Sequence, residues 1–486
     1  MEIFLAKKTF SIEDQAIFSQ ISGDFNPLHF STLESRRSPF GGAIVHGVNL
    51  VLWALQNLAT NNLEKFEQIS RVDITFKRPL MLGEEVSLIS SNTGQNKFTI
   101  LLKFNNLLIS KLKIATEVQI ESVNNTISVE QTSHKFRKAS DYKDAAGISQ
   151  KIFFEKYYFD LKLLNKTYPN LINRYNLPFI SDLIRATQIV GMEIPGLYSL
   201  FSQLSLKRQP PPQANKRYYS IKNFDERFSL YHMNYNSNSF FGVIKAFKRP
   251  KQIDQPNFHD LSRITKKNEF ALQKALVIGA SRGIGELAAK ILVAGGADVK
   301  GTFYRGQIDA NRIIEDVQKN NKLITFTKFN VLEPTNQIPQ IFEPINSLYF
   351  FATPSIFVSQ KKTLSYPLLN KFMDYYVNAF CQIVENLCQN SNSSRISVYY
   401  PSTEAVSTHP TDMAEYTIAK QAGELCCEYL SKKYSKLVIY KPRIPRMLTD
   451  QTASALHTEV TNSQEYMIKS LREFSKVHQE NKILKH

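Results

Sequence analysis

The run Val48-Asn49-Leu50-Val51-Leu52-Trp53-Ala54-Leu55 is apolar on almost every side of a helical wheel. A helix of that kind cannot lie at a surface with one face in water, so other elements must enclose it. Gly47 stands just before it. Upstream, Thr9-Phe10-Ser11-Ile12-Glu13-Asp14 reads as a strand end entering a helix, with Ser11 as N-cap and Asp14 three residues on. Ile17, Phe18 and Ile21 carry the core spacing of that helix, and Gly23 stops it. Downstream, Val72 to Phe76, Val86 to Ile89, Phe98 to Leu102 and Leu112 to Ala115 alternate as strands do.

Between the two helices lies Ser22-Gly23-Asp24-Phe25-Asn26-Pro27-Leu28-His29, kept from helix by Gly23 and Pro27. Asp24 and His29 can converge there on one water molecule, with Asn26 orienting a neighbour. Acid–base addition of water to a double bond needs such a carboxylate and imidazole. A polar turn whose aspartate caps the next helix would use the same residues. Beyond His29 come Ser35 and the run Pro39-Phe40-Gly41-Gly42-Ala43-Ile44-Val45-His46-Gly47. Together these stretches resemble the MaoC-like (R)-specific enoyl-CoA hydratases, the hydratase 2 family. Phe76-Lys77-Arg78-Pro79-Leu80 with Gly83 resembles a strand-and-turn signature of the same family. The resemblance implies a hot-dog fold over residues 1–134, one buried helix wrapped by a curved antiparallel sheet. Asp24, Asn26 and His29 are then the candidate catalytic residues. Gly47 resembles the family's backbone donor to the thioester oxygen, where negative charge builds and a helix N-terminus stabilises it. His46 reads as a packed, helix-start histidine.

Residues 135–265 hold neither the Asp-x-Asn-Pro-x-His spacing nor a His-Gly pair. Leu177-Pro178-Phe179-Ile180-Ser181 leads into an apolar helix through Leu183, Ile184, Ala186, Ile189 and Val190, ending at Gly191-Met192. Strands are expected over 197–206, 217–221, 227–233 and 240–247. Helix followed by antiparallel strands repeats the first unit, and resembles a second, degenerate hot-dog with a structural and substrate-shaping role. The fold class expected is thus an α+β double hot-dog followed by an α/β domain. The tract Gln209-Pro210-Pro211-Pro212-Gln213 reads as a loop within the second unit, and polar residues 248–267 as the boundary.

From Lys274 strands and helices alternate. Ala275-Leu276-Val277-Ile278-Gly279-Ala280 reads as a buried parallel strand, and Ser281-Arg282-Gly283-Ile284-Gly285 opens a helix. Glycines there let the backbone approach a pyrophosphate, whose charge suits a helix N-terminus. With Tyr416-Thr417-Ile418-Ala419-Lys420 and Ser402, this resembles the short-chain dehydrogenase/reductase family over a Rossmann domain at 270–486. A tyrosine with a pKa of about 10 is a poor acid at neutral pH unless helped. Lys420, one helical turn after Tyr416, can lower that pKa by its charge. The resemblance makes Ser402 the hydrogen-bond donor to a substrate carbonyl, with Thr403 as the alternative, and Asn378 a support for the proton relay. It places cofactor contacts at Gly279, Ser281, Arg282, Gly283, Ile284, Gly285, Tyr304, Arg305, Asn330, Val331 and Ala352, besides Tyr416 and Lys420. Two places depart from the family: Phe351-Ala352-Thr353 stands for Asn-Ala-Gly, and Pro442-Arg443 for Pro-Gly. The strand Ala297 to Arg305 ends without the carboxylate that holds a ribose 2′-hydroxyl. Arg282 and Arg305 could instead face a 2′-phosphate, so the expected cofactor is NADP(H).

At 486 residues the chain exceeds one core, and a length prior gives about three domains. The net charge of +17 is spread along the chain and accompanies no nucleic-acid motif. It suits attraction of acidic partners: nucleotide phosphates, CoA, or an acidic carrier protein. There is no apolar run long enough to span a membrane and no signal-peptide pattern. Cys381, Cys388, Cys426 and Cys427 lack metal-ligand spacing and read as core thiols of a cytoplasmic protein. The expected activity is bifunctional, with acyl-CoA or acyl carrier protein thioesters as substrates. A hydratase would interconvert 2-enoyl and 3-hydroxyacyl groups, and a reductase 3-hydroxyacyl and 3-oxoacyl groups. A nucleotide-binding protein without turnover, and a reductase of an unrelated carbonyl, are the alternatives. Self-association of both families suggests a homodimer, with neither nucleic acid nor membrane as partner.

Overall fold

The structure is a computed structural model that describes residues 2–30, 32–61, 67–94, 96–118, 129–130, 137–142, 150–210, 217–333, 344–356, 364–450, 452 and 461–480. It forms two compact units that divide between Lys251 and Gln252.

The first unit opens with β1 (Glu2–Thr9) and α1 (Ile12–Ser22). A reciprocal cap starts α1: Asp14 N–H donates to Ser11 Oγ at 3.2 Å, and Ser11 N–H to Asp14 Oδ2 at 2.8 Å. Gly23, at φ 71°, closes it. Next come α2 (Gly47–Asn61), β2 (Glu67–Phe76), β3 (Glu85–Gly94), β4 (Lys97–Phe104) and β5 (Leu107–Val118). Val48, Val51, Leu52, Ala54 and Leu55 of α2 have no exposed surface, as an all-round apolar helix requires.

The second segment supplies β6 (Lys151–Phe153), α3 (Leu177–Gln188), β7 (Ser199–Arg208), β8 (Tyr218–Asp225), β9 (Leu230–Asn236) and β10 (Phe240–Lys248). Its helix does not simply stop at Gly191-Met192: α3 passes into a π-helical turn, Ile189–Glu193. The strands of both segments make one ten-stranded sheet in the order β1-β3-β4-β5-β2-β7-β10-β9-β8-β6. The joint is the antiparallel pair β2–β7, with Val72 opposite Leu206 and Ile74 opposite Leu204. Pairing there removes two open strand edges, and α2, α3 and both sets of strands share one apolar core. Gln209 and Pro210 follow β7, whereas the rest of the proline tract lies outside the described residues.

The second unit contains β11 (Lys274–Ile278), α4 (Gly283–Ala294), β12 (Asp298–Phe303), β13 (Thr325–Lys328), β14 (Ser347–Phe350), β15 (Ile396–Tyr399), α5 (Ala414–Lys433) and β16 (Leu437–Tyr440). All neighbours in its sheet are parallel, in the order β13-β12-β11-β14-β15-β16. Side chains alternate between two cores: Ala275 and Val277 of β11 join one, Leu276 and Ile278 the other. A central strand buried on both faces is what its unbroken apolar run encodes. The order reverses between β11 and β14, which is the doubly wound, Rossmann arrangement. Among the described residues no helix is long and apolar enough to cross a membrane.

Candidate active site

The loop after α1 is shaped by its own polar side chains. Asn26 caps a short 3-10 turn, Pro27–His29, by accepting the Leu28 N–H on Oδ1 at 3.0 Å. Its Nδ2 donates to the carbonyls of Gly191 at 2.8 Å and Gly196 at 2.9 Å. Asn26 thus ties the loop to the π turn that follows α3.

Asp24 is buried at 1 % exposure. Its Oδ2 accepts the Thr187 hydroxyl at 2.6 Å and its Oδ1 the Asn26 N–H at 3.2 Å. Burial pushes its pKa up to about 6, against the opposing pull of those two hydrogen bonds. His29 Nδ1 lies 2.9 Å from the Ile44 carbonyl. A carbonyl only accepts, so Nδ1 carries the hydrogen and Nε2 the lone pair. Burial, with the nearby Arg249 charge adding to it, brings the His29 pKa down to about 4. The ring stacks on His46, with centroids 3.5 Å apart. His46 is itself fully buried, packed between the Gln15 side chain and the Asp24 carbonyl. One polar atom from each of Asp24, His29 and His46 falls within 4.8 Å of the others. These types could ligate a metal, but three of the four ring nitrogens already face Ile44, Gln15 and the Asp24 backbone. The arrangement suits proton transfer: at neutral pH it offers a carboxylate and a neutral imidazole side by side.

A cavity of about 120 Å³ opens beside them, lined by Asp24, His29, Gly47, Phe76, Thr187 and Phe201 among others. Lys77 and Arg78 also border it. Gly47, first residue of α2, has no room for a side chain, since a Cβ would meet Phe76 Cε1 at 2.8 Å. Its backbone therefore borders the cavity directly, at the positive end of the buried helix.

In the second unit, the glycine turn lies at the C-terminal ends of β11 and β14, where the strand order reverses. A Cβ on Gly285 would overlap the Gly279 carbonyl, so only glycine lets α4 pack this close to the turn. Gly279 in turn sits against the Ala352 N–H. Arg282 is the N-cap of α4, with Gly283, Ile284 and Gly285 in its first turn, and Ser281 lies against Gly306. Tyr304 and Arg305 are exposed just past β12, the guanidinium 5.3 Å from the tyrosine ring. Past β13, Asn330 accepts the Leu332 N–H, and Val331 is buried.

Tyr416 lies in the first turn of α5, hydrogen-bonded to Thr403. Burial pushes it up to about 12. Three expectations need correction here. Ser402 does not face Tyr416: its hydroxyl donates to Glu424, which Arg443 holds at 2.9 and 2.7 Å. Arg443 stands where the reductase pattern has glycine, and its cation draws Glu424 and with it Ser402. Thr403 takes the place beside Tyr416. Asn378 is exposed and donates to Asp374 Oδ1 at 3.0 Å. The turn Asp374–Ala379 is π-helical, and it is Tyr376 of that turn that packs on Tyr416, with centroids 5.7 Å apart. Thr353, the other departure, hydrogen-bonds the Tyr376 hydroxyl. Lys420 is not aimed at the Tyr416 hydroxyl: its ammonium donates to the Pro401 carbonyl at 2.7 Å and lies 3.9 Å from the centre of the Tyr376 ring, against 6.0 Å from that of Tyr416. Burial brings Lys420 itself down to about 7.

Residues 4–107 match the family model described as "MaoC like domain". The first segment is a MaoC-like domain. Over 103 residues the chain is 26 % identical to the mitochondrial 3-hydroxyacyl-[acyl-carrier-protein] dehydratase of Arabidopsis thaliana, covering 20 % of this chain and 61 % of that protein. Among solved structures, a short-chain dehydrogenase from Shigella flexneri 2a complexed with NADP is 19 % identical, covering 43 % of this chain and 93 % of that one, at a TM-score of 0.39. A landomycin C-6 ketoreductase with bound NADP and rabelomycin is 19 % identical over 42 % of this chain and 90 % of its own, at 0.38.

The MaoC-like domain does not line its cavity alone. Thr187, Gly191 and Phe201 lie outside the matched residues and were not among the sequence candidates. Only Gly191 left a trace, a glycine inside an otherwise apolar helical run. Its small size leaves room for the Asp24 carboxylate, which a Cβ would overlap.

Proposed function

We propose that the chain is a bifunctional acyl-thioester enzyme, and that its first unit is a double hot-dog in which one active site serves 2-enoyl hydration and 3-hydroxyacyl dehydration. The observation that carries this reading is the Asp24–His29 pair at an apolar cavity bordered by the start of a buried helix. Both groups are acceptors at neutral pH, Asp24 as carboxylate and His29 through Nε2. A water between them adds its hydroxyl to the 3-carbon, and the proton it gives up passes through the pair to the 2-carbon. The Gly47 N–H faces the thioester oxygen, where charge develops. Lys77 and Arg78, at the edge of the cavity, suit the phosphates of CoA or of a carrier-bound pantetheine.

The second unit is read as an NADP(H)-dependent 3-oxoacyl reductase with (R)-3-hydroxyacyl groups as the shared intermediate. The bound nicotinamide would supply hydride to the 3-carbonyl. Tyr416 would protonate the oxygen, assisted by Thr403, while the turn from Gly279 to Gly285 would hold the pyrophosphate and Arg282 and Arg305 the 2′-phosphate. The reading includes a cytoplasmic homodimer. Purified protein with crotonyl thioester, and separately acetoacetyl thioester with NADPH, tests it: (R)-3-hydroxybutyryl product is expected from both. No product from crotonyl thioester would remove the hydratase assignment.

A second reading has one observation in its favour. Lys420 is turned to the Pro401 carbonyl and the tyrosine rings, and Tyr416 is held high by burial. A second unit that binds nucleotide without turnover fits this arrangement; NADPH binding without oxidation would favour it.

A further inference from the structure

We propose that Thr187, on the segment without the loop motif, is a positioning residue of the hydratase reaction, its hydroxyl fixing the Asp24 carboxylate beside His29. This inference rests on the hydratase reading and adds a role for the second segment. Thr187 lies one residue before the end of α3 and is 4 % exposed. Its hydroxyl donates to Asp24 Oδ2 at 2.6 Å. The geometry has a second half one turn on, where Gly191 leaves the space that the carboxylate fills. A third contact closes the loop: Asn26 donates to the Gly191 carbonyl at 2.8 Å. The motif loop is therefore latched onto 187–196, and the π turn at Ile189–Glu193 presents Gly191 to Asp24 as the latch needs.

A carboxylate free to turn among rotamers would lose its alignment with a water held by His29, and small misplacements are costly in such reactions. A hydrogen bond given to the charged form also favours that form over the neutral acid. The titratable groups facing Asp24 are His29 and His46, both kept neutral by burial, and Arg249 acts on His29. Thr187 is the polar neighbour from α3 that favours ionised Asp24.

The test compares full-length wild type, Thr187→Val and Thr187→Ser on crotonyl thioester across pH. Valine keeps the shape and removes the hydroxyl, so kcat should fall roughly tenfold or more and the acidic limb of kcat/KM should move up by about one unit. Serine should restore both. Thr187→Ala, which only removes atoms, gives the same readout if valine disturbs packing. An acidic limb at the wild-type position with kcat within twofold would overturn the role of Thr187, as would loss in Val and Ser alike. The wild-type rate keeps the two claims apart: no wild-type hydration removes the hydratase reading and this role with it.

Discussion

Thr187 donates a hydrogen bond of 2.6 Å to Asp24, although 163 residues separate them in the chain. The contact joins a segment with a recognisable motif to one with none. It shows that the carboxylate of the Asp24–His29 loop is held in place from α3 as well as from its own turn.

Asp24→Asn and His29→Ala should each slow crotonyl thioester hydration by about 10²–10⁴-fold while circular dichroism stays native, since general acid–base contributions have that size. Steady-state rates on the folded variants check this. Full activity in either would displace the site.

The pH dependence follows from Asp24. Its pKa of about 6 means that the carboxylate is lost as pH falls through 6, so the hydration rate should drop there. His29, at about 4, stays neutral throughout that range. Stability runs the other way. A carboxyl whose folded pKa is raised contributes most below its unfolded value near 3.8 and loses that contribution as pH rises through about 6. Asp24→Asn should therefore gain on wild type between pH 4 and pH 8, by up to about 3 kcal/mol. Chemical denaturation at the two pH values measures the difference.

Gly47→Ala should be damaging out of proportion to one methyl group. The added Cβ meets the Phe76 ring at 2.8 Å, which forces the start of α2 or β2 to shift. A cost of about 1–3 kcal/mol is expected from such overpacking. Hydration should fall further than that instability explains, because the backbone at the cavity wall moves. Thermal unfolding beside kinetics separates the two effects.

Thr403→Val should weaken acetoacetyl thioester reduction by roughly 10²-fold, whereas Ser402→Ala should act on stability through Glu424 and Arg443. Initial rates and melting temperatures of both variants decide it. Equal rate losses would return Ser402 to the site.

NADPH should be preferred to NADH. Arg305→Ala should raise KM for NADPH at least several-fold and leave that for NADH nearly unchanged, since a guanidinium pairs specifically with phosphate. An equal or higher kcat/KM with NADH would exclude this cofactor choice.

Much of the architecture is written locally. Ser11 and Asp14 bracket α1 because a cap needs only residues three apart. The nearly all-apolar run at Val48–Leu55 and the unbroken one at Ala275–Ile278 require burial on all sides, whatever encloses them. Asp24, His29, Gly47 and the turn from Gly279 to Gly285 are visible because their chemistry depends on neighbours within a few residues. Tertiary structure decided what came from afar. The pairing of Val72 with Leu206 merges two segments into one sheet, a match between edge strands that no local pattern states. Arg443 pulls Glu424 and Ser402 away from Tyr416, and a π turn exchanges Tyr376 for Asn378, so two residues expected from the family resemblance point elsewhere. The ionisation of Asp24 belongs to the same class. Sequence sets a carboxylate on a turn, but only packing removes its water and sets Thr187 and Gly191 against it, because desolvation and hydrogen bonding are properties of the folded surroundings.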